Sequence, residues 1–442
     1  MTISAHRGEI LHFLGDPGAR DHAGAWQHFP DGALLIEDGR VSDCGDAREV
    51  LARIKTKRGA TPEITEHPNC LIVPGLVDAH VHYPQCEVVA AYGAQLLEWL
   101  EKHTFPAEAR FHDRAHAGRI ADFFLDELLR NGTTTALVFG SVHPQSVDAF
   151  FEAAEARNLR MICGKVMMDR NAPPEICDTP QTGYDDSRAL IKKWHGRGRL
   201  GYAVTPRFAP TSSDAQLRLA GKLLAENPGV HLHTHIAENR RECEWVAKLF
   251  PQCDDYLGVY ERHGLLGRRA MFAHAIHLSE SEWSRLSRAG AGVAFCPTSN
   301  LFIGSGLFPL HRADSAGARV ALGTDIGGGD SFSLLRTVNE AYKVQQLQER
   351  NLSPMRALYL ATLGGARALD LQDHIGNFER GKEADFITLN FRATRLIEMR
   401  ARGCKTLAEK LFVLLMLGDD RAIGGTWILG EKTKTAAENL PR

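Results

Sequence analysis

No Cys-x-x-Cys pair occurs among the nine cysteines of this sequence, which removes zinc knuckles and thioredoxin-like redox pairs. The cysteines (Cys44, Cys70, Cys86, Cys163, Cys177, Cys243, Cys253, Cys296 and Cys404) are scattered and odd in number, a usage suited to a reducing compartment. Long apolar runs are missing too. The longest, such as Leu411 to Leu417, fall far short of a bilayer span. The start, Met-Thr-Ile-Ser-Ala-His-Arg-Gly-Glu, lacks the basic and apolar regions of a signal peptide, so a cytoplasmic location is expected. Surplus charge is also absent. A net charge of −2 gives no electrostatic reason to expect nucleic acid or an anionic membrane as partner.

What is present is a globular balance, 44% hydrophobic and 24% charged, over 442 residues, enough for a large domain plus a smaller one. The first seventy residues read as β-structure. Ile10 to Leu14 and Ala33 to Ile36 are strand-like, and an Asp38-Gly39 turn leads into Val41-Ser-Asp-Cys44. The far end returns to that style at Ala384 to Asn390 and Ala422 to Gly430. A small β-sandwich domain made from residues 1–70 and 384–442 is therefore expected.

Between them, residues 71–383 alternate. Strand-length apolar runs lie at Leu71 to His82, Thr133 to Gly140, Arg160 to Met168, Leu200 to Arg207, Val230 to Ile236, Ala270 to His277, Gly292 to Cys296 and Arg319 to Thr324. Helical patterns such as Ala115 to Arg130 and Ser331 to Glu349 separate them. Eight continuous runs alternating with helices predict an α/β fold, a (β/α)8 TIM-like barrel. A doubly wound open sheet would want a Gly-rich phosphate loop after an early strand, and none is present.

Barrel chemistry collects at the C-terminal strand ends. Strand one ends in His80-Val-His82, strand four in Arg207-Phe208 and strand five in His235-Ile-Ala-Glu238; strand six ends near His274 and strand eight in Asp325. Side chains two apart on a strand point the same way, so His80 and His82 can both face the barrel axis. With His235 and Asp325 they make three imidazoles and one carboxylate, leaving room for water as in a catalytic site. Zinc suits these donors, and iron or manganese would also fit. With twenty histidines, chance pairs are expected, and His231-Leu-His233 reads as one.

The chain resembles the amidohydrolase superfamily, and within it the members that deaminate guanine. The resemblance is carried by Pro74-Gly-Leu-Val-Asp-Ala-His-Val-His-Tyr-Pro-Gln85, Leu96 to Glu108, Thr205-Pro-Arg-Phe-Ala-Pro-Thr-Ser212, His233-Thr-His-Ile-Ala-Glu-Asn239, Phe295 to Asn300 and Leu322 to Asp330. It implies one zinc per subunit on His80, His82, His235 and Asp325. It also implies guanine and water as partners, contacts to the base from His82, Gln85, Arg207, Phe208, His235, Glu238 and Asp325, and a homodimer. Catalysis would fall to Glu238, Asp325 and His274, the last bonding the water or oxyanion without being a primary ligand. Water held by Asp325 and His274 would attack C2 of the base while Glu238 protonates N3.

Each role makes chemical sense, and each has a plainer alternative. Glu238 can move protons beside the ion or be an ordinary loop carboxylate. Arg207 offers a fork of donors to a carbonyl oxygen or forms a rim ion pair. Gln85 offers both donor and acceptor to an amide-like edge. Phe208 stacks on the ring or packs the rim, and Trp99 and Phe105 read as core and not lid. Three rival functions stay open. Two-metal cyclic amidases want a bridging lysine on strand four, whereas the nearest strand lysine, Lys165, is on strand three. Another aminohydrolase could act on a related purine, pterin or triazine. A non-catalytic scaffold would be expected to lose ligands. The unrelated zinc deaminases are excluded because their Pro-Cys-x-x-Cys signature is missing.

Overall fold

A computed structural model of the chain describes residues 2–58, 62–93 and 95–433, with the backbone alone at 55–58. Residues 1, 59–61 and 434–442 of the expected terminal domain lie outside the described residues. The chain opens with strands β1 (Ile3–Phe13), β2 (Trp26–Glu37), β3 (Arg40–Asp46) and β4 (Ile64–Pro74). Near its end come β14 (Phe386–Asn390), β15 (Ile423–Ile428) and β16 (Glu431–Lys432). They form one sheet in the order β16-β15-β14-β4-β1-β2-β3, so the two ends of the chain meet through the β14–β4 ladder. The β2–β3 hairpin turns at Asp38 (φ 48°) and Gly39 (φ 77°), the left-handed pair that an Asp-Gly turn supplies.

The middle forms eight parallel strand positions: β5 (Leu76–His82), β6 (Thr133–Phe139), β7 (Arg160–Gly164) continued by β8 (Val166–Met167), β9 (Gly201–Pro206), β10 (His231–Ile236), β11 (Ala270–His274), β12 (Gly292–Phe295) and β13 (Arg319–Leu322). Sequential pairing runs from β5 to β13, giving the nearly closed barrel expected. Every residue of β5, β6, β10, β11 and β12 is buried, which is why these runs read as unbroken and not alternating. At the seam the backbone bonds sit at the C-terminal end. Asp325 N donates to His80 O (2.9 Å) and His82 N to Ile326 O (3.2 Å), while lower down Val77 N turns to Ala361 O (2.9 Å).

Three sequence readings change. The run from Leu71 to His82 is two strands in two sheets, broken at Gly75, where an added Cβ would stand 2.1 Å from Thr134 Oγ1. An uninterrupted apolar run carries no signal for such a change of sheet. The β-rich ends also contain helices at Ala47–Arg58, Arg395–Arg402 and Leu407–Leu417, the last capped by Thr406 and Glu409 and holding the apolar run at 411–417. The expected helices of the middle are present with shifted ends, one beginning a residue earlier at Arg114–Arg130 and the other trimmed to Leu334–Gln346. Among the described residues no helix is long and apolar enough to cross a membrane.

Candidate active site

The first strand aims its histidines by an irregularity in register. Val77 and Ala79 join the apolar cluster inside the barrel, whereas Val81 packs with Leu76 in the shell beneath the helices. The β5–β6 register shifts between Asp78 and Val81, so the inward face changes from odd to even positions there. Asp78 holds the bulge. Its Oδ1 accepts from His80 N (3.2 Å) and Thr324 N (3.0 Å), and its Oδ2 accepts from Thr324 Oγ1. On the other side, His274 (φ 73°), Ala237 (φ 47°) and Asp325 (φ 51°) adopt left-handed backbone, unusual for side chains with a Cβ and characteristic of functional strand ends.

These devices bring the expected donors together. His82 Nε2 lies 3.2 Å from both His80 Nε2 and His235 Nε2, and Asp325 Oδ1 lies 3.1 Å from His80 Nε2 and 3.4 Å from His82 Nε2. His80, His235, His274 and Asp325 each place one ligand atom within 4.8 Å of all the others. The opposite ring nitrogens of His235, His80 and His274 are held, while Nδ1 of His82 has no partner among the described residues. His235 Nδ1 donates to Arg207 O (2.7 Å), His80 Nδ1 meets His233 Nε2 (2.7 Å), and His274 Nδ1 meets Asn300 Oδ1 (2.9 Å). Since a carbonyl can only accept, His235 must turn a bare Nε2 lone pair to the centre. Lone pairs facing one another beside a carboxylate repel unless a cation lies between them. The donor set therefore fits a divalent metal ion.

Electrostatics separate His274 from the rest. Burial lowers the pKa of His80, and burial together with the neighbouring imidazoles puts His82 and His235 well below the ordinary histidine value. Those three imidazoles are held neutral, the form in which a ring nitrogen can offer a lone pair to a cation. Burial opposes charge on His274 as well, but the carboxylates of Glu238 (3.3 Å) and Asp325 (3.7 Å) outweigh it and raise its pKa. Asp325 is held below the usual range, because His80 and His274 overcome its burial. Glu238 is pushed up to about 7, chiefly by burial, and its Oε1 accepts from Ser305 Oγ at 2.9 Å.

Arg207 and Phe208 with Leu96, Leu100, His235 and Glu238 line a half-open cavity of about 30 Å³, room for a water molecule and not for an organic ligand. Leu96, Leu100, Trp99 and Phe105 pack with Phe139 and Phe208 into an apolar roof over it, so Trp99 and Phe105 are buried core residues of a covering segment. Phe208 both packs in that cluster and lines the cavity. Arg207 forms a buried ion pair with Glu108, not one at the rim (Nη1 to Oε2 2.7 Å), and Gln85 Nε2 donates to Glu108 Oε1 (3.0 Å). Lys165 is bound to Asp178 (2.5 Å), where it does not serve as a bridging ligand. A larger cavity of about 410 Å³ lies in the terminal sheet around His12 and Phe378, and the converging donor set is not there.

Sequence reasoning missed four residues. His233, read as a chance pair with His231, orients His80; the two-residue spacing His231, His233, His235 puts all three on one face of β10 and was the available signal. Among the described residues the side chain of His231 hydrogen-bonds only Leu369 O, through Nε2 (2.8 Å). Glu108 and Asn300 end stretches that carry the family resemblance, but their roles had no local signal, and Ser305 had none at all, since what marks each is the partner it meets.

The profile of the amidohydrolase family matches residues 71–431. The chain is 51% identical over 432 residues to the guanine deaminase of Escherichia coli, covering 97% of both chains. A solved structure of Escherichia coli guanine deaminase superposes with a TM-score of 0.93 at 49% identity, covering 98% of this chain and 99% of that one. A guanine deaminase from C. acetobutylicum, solved with guanine bound in its active site, superposes with a TM-score of 0.88 at 26% identity, covering 98% and 100%.

Proposed function

The chain belongs to the amidohydrolase family, and on that premise we propose that it hydrolyses guanine to xanthine and ammonia at the site just described. One observation carries the reading. Glu238, buried and with its pKa at about 7, faces His274 and lines the same cavity as Arg207 and Phe208. A proton carrier thus stands between a metal-binding set and a polar, aromatic wall. His80, His82, His235 and Asp325 would hold zinc, one ion per subunit, though iron or manganese suits the same donors. When bound, the ion supplies a lowered pKa for a neighbouring water and a positive charge beside the reacting carbon.

The remaining work falls to side chains. Glu238 and Asp325 take protons from the water as its oxygen bonds to C2. Glu238 passes one to N3, and a second reaches the amino group, which leaves as ammonia. Buried beside His274 and the cavity, Glu238 is placed both to accept a proton and to pass it on. His274, anchored by Asn300, turns Nε2–H toward the oxygen on which charge develops. Arg207 and Gln85 address the oxo edge of the base, and Phe208 packs against its ring. The roof over residues 96–105 must move to admit a purine, and on closing it excludes water. A homodimer and a cytoplasmic setting belong to the same proposal.

The test is ammonia release from guanine, adenine, cytosine and 8-oxoguanine by the purified, metal-loaded protein. Release from guanine at least about 100-fold above the others is expected. A protein that carries metal and leaves guanine untouched overturns the proposal.

A further inference from the structure

We propose that Glu108 is a positioning residue that selects the purine edge the site accepts, by fixing the amide of Gln85 and neutralising Arg207. The inference rests on the reading of this cavity as a purine site. Glu108 is 1% exposed and ends the stretch Phe105-Pro-Ala-Glu, in the short helix Phe105–Ala109 that closes the covering segment. Its Oε1 accepts from Gln85 Nε2 (3.0 Å) and Arg207 Nη1 (2.9 Å), and its Oε2 accepts from Arg207 Nη1 (2.7 Å). One carboxylate therefore ties the roof to the end of β5 and the end of β9.

The chemistry of that contact leaves no freedom. A carboxylate beside a guanidinium is an acceptor only, so Gln85 must turn its NH2 toward Glu108, and its Oε1 is the polar atom left over. Arg207 spends Nη1 on Glu108, and its Cζ lies over the Phe105 ring at 5.6 Å. Among the described residues nothing accepts from its Nε or Nη2. The pair thus offers a substrate one fixed acceptor and a set of donors, with the guanidinium charge already balanced. The complement is a neutral lactam edge, a ring N–H beside a carbonyl, as at N1 and C6 of guanine. An amidine edge, a bare ring nitrogen beside an amino group, presents the opposite polarity and leaves buried groups unpaired.

Guanine and 2,6-diaminopurine carry the same C2 amino group and differ at this edge, so their kcat/KM ratio reads the inference directly. In Glu108→Gln the carboxamide can donate as well as accept, and the Gln85 amide is free to turn over. The variant is expected to keep its metal content, to lose about 100-fold in kcat/KM for guanine mainly through KM, and to narrow the guanine preference at least about 10-fold. Gln85→Met should narrow it similarly, and adding Glu108→Gln to that variant should narrow it little further. Should Glu108→Gln not fold, Glu108→Asp withdraws the carboxylate from Gln85 and reads the same ratio. A folded, metal-loaded variant that loses both substrates equally overturns the role of Glu108, which would then be structural. A wild-type protein inactive on guanine overturns the proposed function itself, and with it this inference.

Discussion

His80 Nδ1 lies 2.7 Å from His233 Nε2, so one barrel histidine sets the tautomer of another. For His80 to turn a lone pair toward the ion, its Nδ1 must carry the hydrogen and donate it to His233. Both residues are fully buried, and no water can replace the partner without a cavity. His233→Leu is therefore expected to weaken metal binding about 10- to 100-fold. Competition with a chromogenic chelator measures this. His231→Leu, one layer down, should leave the affinity as it was; equal losses in the two variants would make the effect one of packing.

Glu238 differs in that it touches no residue solely to orient it. Glu238→Gln keeps the shape and the Ser305 contact and removes the exchangeable proton. Metal content should stay at the wild-type value while kcat falls about 10²- to 10⁴-fold. Measured by ammonia release at saturating guanine, near-wild-type turnover would remove Glu238 from the proton path.

Acid should loosen the terminal sheet and the barrel base before it reaches the carboxylates. His6, His12 and His231 are each lowered to about 4, by burial in every case and for His6 also by His67. The unfolded chain takes up their protons as pH falls below the ordinary 6.5, while the folded chain resists until about 4. Stability from these groups is thus complete above pH 6.5 and is lost between 6.5 and 4, at most about 3 kcal/mol for each. For His12 burial outweighs the weak support that Gln27 and Glu379 give the charged ring. His12→Phe should accordingly flatten the fall of the thermal midpoint between pH 7 and 5, and an unchanged slope would count against this account.

The site was legible where its residues sit on strands. His80, His82 and His235 share a two-residue period with the strand ends, and Asp325 follows the last run, so position alone pointed to them. Arg207, Gln85 and Glu238 lie one to three residues beyond a strand or ligand, and family likeness assigned their roles. The structure brings all of these together. It also replaced the alternative of a rim ion pair for Arg207 by a buried pair with Glu108, 99 positions away in the chain. No spacing rule spans that distance.

By itself the sequence determined the class of the molecule. Eight buried apolar runs alternating with helices imply a barrel, because strands covered on both faces need apolar residues throughout, and donors at their C-terminal ends imply a metal site. Tertiary structure alone decided the break at Gly75, the change of inward face at Asp78, the pairing of His80 with His233 and the bridge from Glu108 to Gln85 and Arg207. The physical reason is common to all four. Local periodicity records which face of an element is buried, but a hydrogen bond between distant segments is fixed only when the closed barrel sets their separation to within a few tenths of an ångström.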